Sequence, residues 1–294
     1  MLPIVFITDH NYVFPTCVTL RSLRRTKRPE NRYAVHVIGT GLTGTDRDLL
    51  KENCPDADIR EVALCSLPLT CPTHVSLAAL QKFELPLLFP EYDRMLYLDS
   101  DLIVRGDLSE LETIGLSGFW IGAVSEVLEE NSRHAVKMGH TDYFNSGVML
   151  LNLKAWRENH LPEKLLENKL REPWHSFMDQ DVLNWTCENK ILYLPATWNC
   201  TTMHYLASEE RLARFAHLTP EEIRALKSSD QNSAFPHIAH FAWVKPWNCL
   251  RRPSPFVREW WGYLTPGEKA AVKWKALRKK ITSLLIGKKK KSGE

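Results

Sequence analysis

Apolar residues along the first third of the chain fall into unbroken runs separated by polar turns. "PIVFIT" (Pro3–Thr8) reads as a first strand buried on both faces. A polar turn, "DHNY", follows, and then helical spacing from about Thr16 to Thr26. "YAVHVIG" (Tyr33–Gly39) is a second strand, Asp46–Asn53 a helix and "ADIREV" (Ala57–Val62) a third strand. Strands alternating with helices at this spacing predict a mostly parallel α/β sheet, with a nucleotide-sized crevice at its carboxyl edge. Further on, Leu77–Asp93 predicts an apolar helix that leads into "MLYLDSDLIV" (Met95–Val104), which reads as one buried strand. Trp120–Glu126 and Tyr143–Leu153 are two more strands. Asp179–Glu188 has helical spacing with Val182, Leu183 and Trp185 inward, and His237–Asn248 is a strand running into a Pro-stopped loop.

With 294 residues, 44% hydrophobic and 25% charged, the chain has the composition of a globular protein and the length of one large α/β domain or two small ones. Seven cysteines, an odd number without any C-x-x-C pair, argue against a zinc site or a disulfide framework and for reduced thiols. The first apolar run is short for a signal peptide and has no basic leader, and no stretch is long enough to span a bilayer, so a cytoplasmic protein is expected. No G-x-G-x-x-G or Walker loop follows the first strand, so neither a nicotinamide cofactor nor a P-loop is supported. The net charge of +3 is uneven. Lys273–Lys291 holds nine Lys or Arg and no acid, which leaves the rest of the chain net negative. That asymmetry points to an anionic surface as partner, and the acidic body speaks against nucleic acid.

Two carboxylates in the middle of an apolar run need a reason, because burying an unpaired carboxylate is strongly unfavourable. Strand alternation puts Asp99 and Asp101 on one side and Ser100 on the other. Such a pair suits a hard divalent cation, or it marks a strand that simply ends in a turn. Asn145, Asp179 with Gln180, and His240 with Lys245 also interrupt apolar runs. Each alone has a structural account: "NSG" as a bulge or turn, Asp179 as a helix N-cap, His240 as a hydrogen-bonded core residue, Lys245 as a solvated loop residue.

Taken in order, "LYLDSDLIVRGDLSEL", "YFNSGVMLLNLKAWR", "DQDVLN" and the late "HF…KPW" resemble glycosyltransferase family eight, above all the bacterial lipopolysaccharide galactosyl- and glucosyltransferases. The opening "IVFITDHNYVFPTCVTLRSL" is similar as well, and the resemblance runs from Pro3 to Trp247. It implies a GT-A fold, a Rossmann-like mixed sheet flanked by helices. Residues 1–250 would form the catalytic domain, with a UDP-sugar-binding N-terminal half and an acceptor-binding C-terminal half, and 251–294 a helical basic tail. The implied reaction is metal-dependent, retaining transfer of glucose or galactose from a UDP-sugar to a hydroxyl of a glycan, in lipopolysaccharide or other cell-surface glycan synthesis.

By the same resemblance Asp99, Asp101 and His240 hold Mn²⁺ or Mg²⁺. Thr8, Asp9, Asn11, Tyr12 and Ser100 hold the nucleotide, Tyr12 by stacking on the base, and Lys245 holds its phosphates. Asn145, Asp179 and Gln180 line the donor sugar, with the Gln180 carbonyl facing the anomeric carbon. The sequence departs from the family pattern in three places. Lys82 of "LQK" stands where an Arg is usual, so donor-sugar contacts there differ. "HFAWVK" is shorter between His240 and Lys245 and carries Trp243 where small residues are common. Glu126 stands where some relatives have Asp on the acceptor side. In the tail, Trp274, Leu277, Ile281, Leu284 and Leu285 fall at near-helical spacing among lysines, which suits a helix lying on the inner face of the cytoplasmic membrane. Two other readings of the aspartate pair are a haloacid-dehalogenase-type phosphatase, which would want Gly-Thr after the pair, and a catalytically idle nucleotide-sugar-binding protein.

Overall fold

The computed structural model describes residues 1–63, 77–128, 142–171, 179–228, 235–248 and 255–291, with side chains up to 278. Seven strands form the large sheet in the order β3-β2-β1-β4-β7-β6-β8. These are β1 (Leu2–Asp9), β2 (Tyr33–Thr40), β3 (Asp58–Glu61), β4 (Met95–Leu98), β6 (Ile121–Ser125), β7 (Phe144–Leu151) and β8 (Ile191–Tyr193). Only β7 runs against its neighbours, so the sheet is mixed and mostly parallel, as the alternation of elements predicts.

The unbroken apolar runs follow from burial on both faces. Along β1, Leu2, Ile4 and Phe6 enter one core while Val5 and Ile7 enter the other. Leu96 and Leu98 of β4 likewise face the first core, and Met95 and Tyr97 the second. Helix Val13–Thr26 begins a turn earlier than expected, because Pro15 sits in the first turn, where its missing N–H breaks no helical hydrogen bond. Helix Gly44–Asn53 is started by a capping box between Thr43 and Asp46.

Four expectations are corrected. First, Met95–Val104 is two strands in two sheets, not one. The large sheet ends with the Asp99 N–H donating to the Gly147 carbonyl (2.7 Å). The chain then turns, and β5 (Leu102–Val104) joins a small sheet with β10 (Ile238–His240) and β9 (Cys200–Thr201). A polar stripe on the first helix takes up the backbone of this break. Thr19 Oγ1 donates to the Ser100 and Leu102 carbonyls (2.9 and 2.7 Å), and Ser22 Oγ accepts from the Val104 N–H (2.9 Å). Second, Leu77–Asp93 is not one helix. A 3₁₀ stretch, Leu77–Glu84, gives way to a single turn, Leu85–Leu88. Pro86 has no N–H with which to continue the ladder, and Pro90 forbids a restart. Third, in helix Asp179–Thr186, Val182 and Leu183 are buried but Trp185 is exposed. The inward place goes to Asn184, whose amide bridges the N–H and carbonyl of Phe144 at the start of β7 (2.8 and 3.0 Å). Fourth, only Ile238–His240 of the last expected strand is extended.

Beyond residue 250, helices Pro255–Gly262 and Pro266–Lys291 follow, and Val257, Trp260, Leu264 and Val272 belong to the same core as Leu2 and Ile4. Ile281, Leu284 and Leu285 lie on the second of these helices, outside the described side chains. Cys17, Cys54, Cys187 and Cys200 are free and buried. Among the described residues, no helix is long and apolar enough to cross a membrane.

Candidate active site: two aspartates and a histidine in the cleft

The break between the sheets brings the acidic pair to the carboxyl edge. Asp99 ends the β4 ladder and Asp101 begins β5. In the small sheet His240 pairs with Leu102, while the Phe241 N–H donates to the Asp101 carbonyl (2.9 Å). The fold therefore sets His240 beside Asp101 through backbone pairing alone. His240 Nε2 lies 3.3 Å from Asp101 Oδ1 and 3.7 Å from Asp99 Oδ2, and one ligand atom from each of the three residues fits within a span of 4.8 Å.

Gly147 lets them approach. A Cβ there would stand 2.2 Å from His240 Cε1 and 2.8 Å from Asp99 Oδ2. Two carboxylates and an imidazole converging over a glycine fit a divalent transition metal or magnesium, and the imidazole disfavours calcium.

Basic groups flank the acids. Lys82, buried, pairs with Asp179 (2.6 Å) and Asp99 (3.5 Å) and lies over the Tyr97 ring. Burial alone would lower its pKa, but Asp179 and Asp99 together raise it, so the ammonium persists. Tyr97 donates its hydroxyl to Asp99 Oδ1 (2.6 Å). Lys245 pairs with Asp101 Oδ2 and donates to the Ala242 carbonyl (3.1 Å). Burial would raise the Asp101 pKa, but Lys245 and His240 hold it far below the carboxylate range.

Around this centre the cleft is lined by Thr8, Asp9, Tyr12, Lys82, Ser100, Asn145, Asp179, Gln180 and Lys245, together with the three candidate ligands. Asn11 is the exception among the predicted site residues: it is exposed and outside the lining, its N–H held by Asp9 Oδ1 (2.9 Å). The same oxygen accepts from the Tyr12 N–H (3.2 Å), and the Tyr12 ring stands edge-on to Trp247. Residues 99–101 lie in the turn between the two strands, so strand alternation does not set their directions; Ser100 accepts from Thr16 Oγ1 (2.8 Å), which is also 3.0 Å from Thr8 Oγ1.

On the opposite wall, Asp179 also accepts from Ser146 Oγ (2.8 Å), and Gln180 Oε1 accepts from the Ser146 N–H (2.9 Å), keeping one lone pair for the cleft. Asn145 bridges Glu126 and Asn199, and Asn199 meets His240. Sequence reasoning passed over Gly147 as turn chemistry and did not single out Asn199. The signal for Asn199 was the one used elsewhere, a polar residue between the buried Trp198 and Cys200.

A mixed sheet with a second, smaller sheet and an acidic cleft at the carboxyl edge is the architecture of a GT-A glycosyltransferase. The galactosyltransferase LgtC, solved with donor and acceptor sugar analogues, superposes with a TM-score of 0.75 at 24% identity, covering 92% of this chain and 100% of that one. GlyE of Streptococcus pneumoniae TIGR4 superposes with a TM-score of 0.63 at 23% identity, over 95% of this chain and 64% of that one.

The family profile "Glycosyl transferase family 8" matches residues 3–250, and the chain belongs to that family and is a glycosyltransferase. General stress protein A of Bacillus subtilis is 25% identical over 283 residues, 90% of this chain and 93% of that protein. GlyF of Streptococcus pneumoniae serotype 4 is 31% identical over 273 residues, 88% of this chain and 60% of that protein. The lipopolysaccharide 1,2-glucosyltransferase of Escherichia coli K12 is 34% identical over 132 residues, 43% of this chain and 38% of that protein. Family membership removes the phosphatase reading of the aspartate pair.

Proposed function

We propose that the protein is a metal-dependent, retaining hexosyltransferase that moves glucose or galactose from a UDP-sugar to a hydroxyl of a membrane-borne glycan, in lipopolysaccharide or other cell-surface glycan synthesis. The observation that carries this reading is the convergence of Asp99, Asp101 and His240 in the cleft, with one ligand atom from each within 4.8 Å of the others. Mn²⁺ or Mg²⁺ held there would offset the charge that grows on the diphosphate as the glycosidic bond breaks.

The remaining roles fall to the chain's own groups. Tyr12 offers a face for the base, and Asp9, Thr8, Asn11 and Ser100 stand on the nucleotide side. Lys245, already beside Asp101, sets a positive charge against the phosphates. Lys82 pairs with Asp179 and holds it in place, so that the carboxylate accepts hydrogen bonds from sugar hydroxyls. Gln180 turns its remaining lone pair toward the anomeric carbon, and Asn145 closes the same wall.

An amide at that position is a poor nucleophile, which favours a front-face route over a covalent intermediate. The bond from C1 to the phosphate oxygen breaks, the acceptor oxygen bonds to C1 on the same face, and the acceptor proton passes to the departing phosphate. Residues 1–250 would carry this chemistry, and the basic tail of 251–294 would hold the protein peripherally on the inner, anionic face of the cytoplasmic membrane.

The test is UDP release from UDP-glucose, UDP-galactose and their N-acetyl forms, with and without Mn²⁺. Release from one hexose donor that needs the ion is expected. Equal release without the ion, or none from any donor, would sink the reading. A Gln180→Ala enzyme with wild-type turnover would remove the role given to that amide.

A further inference from the structure

We propose that Glu126, Asn145 and Asn199 form a buried positioning relay that fixes a hydrogen on Nδ1 of His240 and thereby leaves Nε2 to meet a metal ion. This rests on reading Asp99, Asp101 and His240 as a cation site. The relay is directional, and two independent donors and acceptors set its direction. The Gly147 backbone N–H can only donate, and it lies 3.0 Å from Asn145 Oδ1. The other end of that amide, Nδ2, faces Glu126 Oε2 at 2.7 Å, an acceptor. Both contacts demand the same orientation of Asn145.

Its Oδ1 therefore takes its second hydrogen bond from Asn199 Nδ2 (2.9 Å), which leaves Asn199 Oδ1 facing His240 Nδ1 at 3.0 Å. A carbonyl oxygen only accepts, so Nδ1 bears the hydrogen. The nitrogen left to offer a lone pair is Nε2, the one aimed at Asp101 and Asp99.

Asn199 is wholly buried and does not line the cleft, so it touches no substrate and acts only through the imidazole. Outer partners of this kind orient a ligating histidine and raise its basicity, and their loss typically weakens metal affinity about 10- to 100-fold.

The test has two parts. In ¹⁵N-histidine-labelled full-length protein, the His240 signals are assigned by their loss in His240→Gln. Nδ1 is expected to carry a hydrogen, as its contact with the Asn199 carbonyl oxygen requires. Mn²⁺ binding in the presence of UDP is then measured by calorimetry. Asn199→Ala should weaken it about 10- to 100-fold.

A wild-type His240 whose Nδ1 carries no hydrogen overturns the proposal, and this holds even if the alanine variant fails to fold. So does an Asn199→Ala protein that binds Mn²⁺ as the wild type does. A wild type that takes up no Mn²⁺ with UDP fails the metal-site reading itself, which is a separate result.

Discussion

At Gly147 a single methyl group would crowd two of the three candidate cation ligands. A Cβ would overlap His240 Cε1 at 2.2 Å and crowd Nδ1 at 2.9 Å. The ring is held on its far side by Asn199. Gly147→Ala is therefore expected to displace the imidazole and weaken Mn²⁺ uptake with UDP by about 10- to 100-fold, as loss of ligand positioning does. Calorimetry checks this, and wild-type affinity would mean that the ring yields freely. Lys82 answers for stability instead. It neutralises buried Asp179 and lies near Asp99. Lys82→Met would strand a buried carboxylate, at a cost of about 3–5 kcal/mol. Chemical denaturation should show that loss, and Asp179→Asn added to it should restore part of the stability. No recovery would mean the cost lies in packing.

Elements were legible where hydropathy had one interpretation. β1, β2 and β7 are apolar on both faces because two cores lie against the large sheet, and runs of that kind are visible in sequence. The break at Asp99–Asp101 was not visible, since Leu98 and Leu102 on either side are equally apolar though they join different sheets. What meets the break is the row of hydroxyls at Thr16, Thr19 and Ser22, whose partners are the Ser100 hydroxyl and backbone groups of residues 100–104, far along the chain. The acidic pair itself was legible, because no packing argument explains it. Its neighbour Asn199 looked like any loop residue, since its meaning depends on contacts with Asn145 and His240.

The short helix Thr202–Leu206 carries a prediction of its own. His204 completes a capping box with Thr201 and is fully buried. Burial, with His240 adding to it and the Ser125 backbone opposing in part, lowers its pKa from 6.5 to about 4. The unfolded chain then binds the proton first as pH falls, so stability is full above about pH 6.5 and declines toward pH 4, by roughly 3 kcal/mol in all. Urea unfolding across that window should show a shallower decline for His204→Gln than for the wild type. Parallel slopes would refute it.

At the scale of the whole molecule, the uneven charge becomes a statement about orientation. Helix Pro266–Lys291 leaves the body from a fixed point: Glu268 receives both arms of the Arg21 guanidinium (2.7 and 2.8 Å), and Val272 and Ala276 are buried. Trp274, between those buried positions, and Leu277, just after them, are exposed, and the basic run continues beyond. An exposed indole and leucine followed by lysines have the chemistry of a helix resting in an anionic lipid interface, where each cation near the surface adds about 1 kcal/mol and salt screens the attraction. Full-length protein should sediment with vesicles rich in phosphatidylglycerol at low salt and less at high salt. A chain ending at Arg278 keeps every described contact with the body, so it should melt as the wild type does and release UDP from its donor at an unchanged rate. It should nonetheless lose most of its vesicle binding, and Trp274→Ala in the full chain should lose part of it. Undiminished sedimentation of the shortened chain would place the attachment elsewhere on the body, and a lowered melting point would show that the basic segment supports the fold.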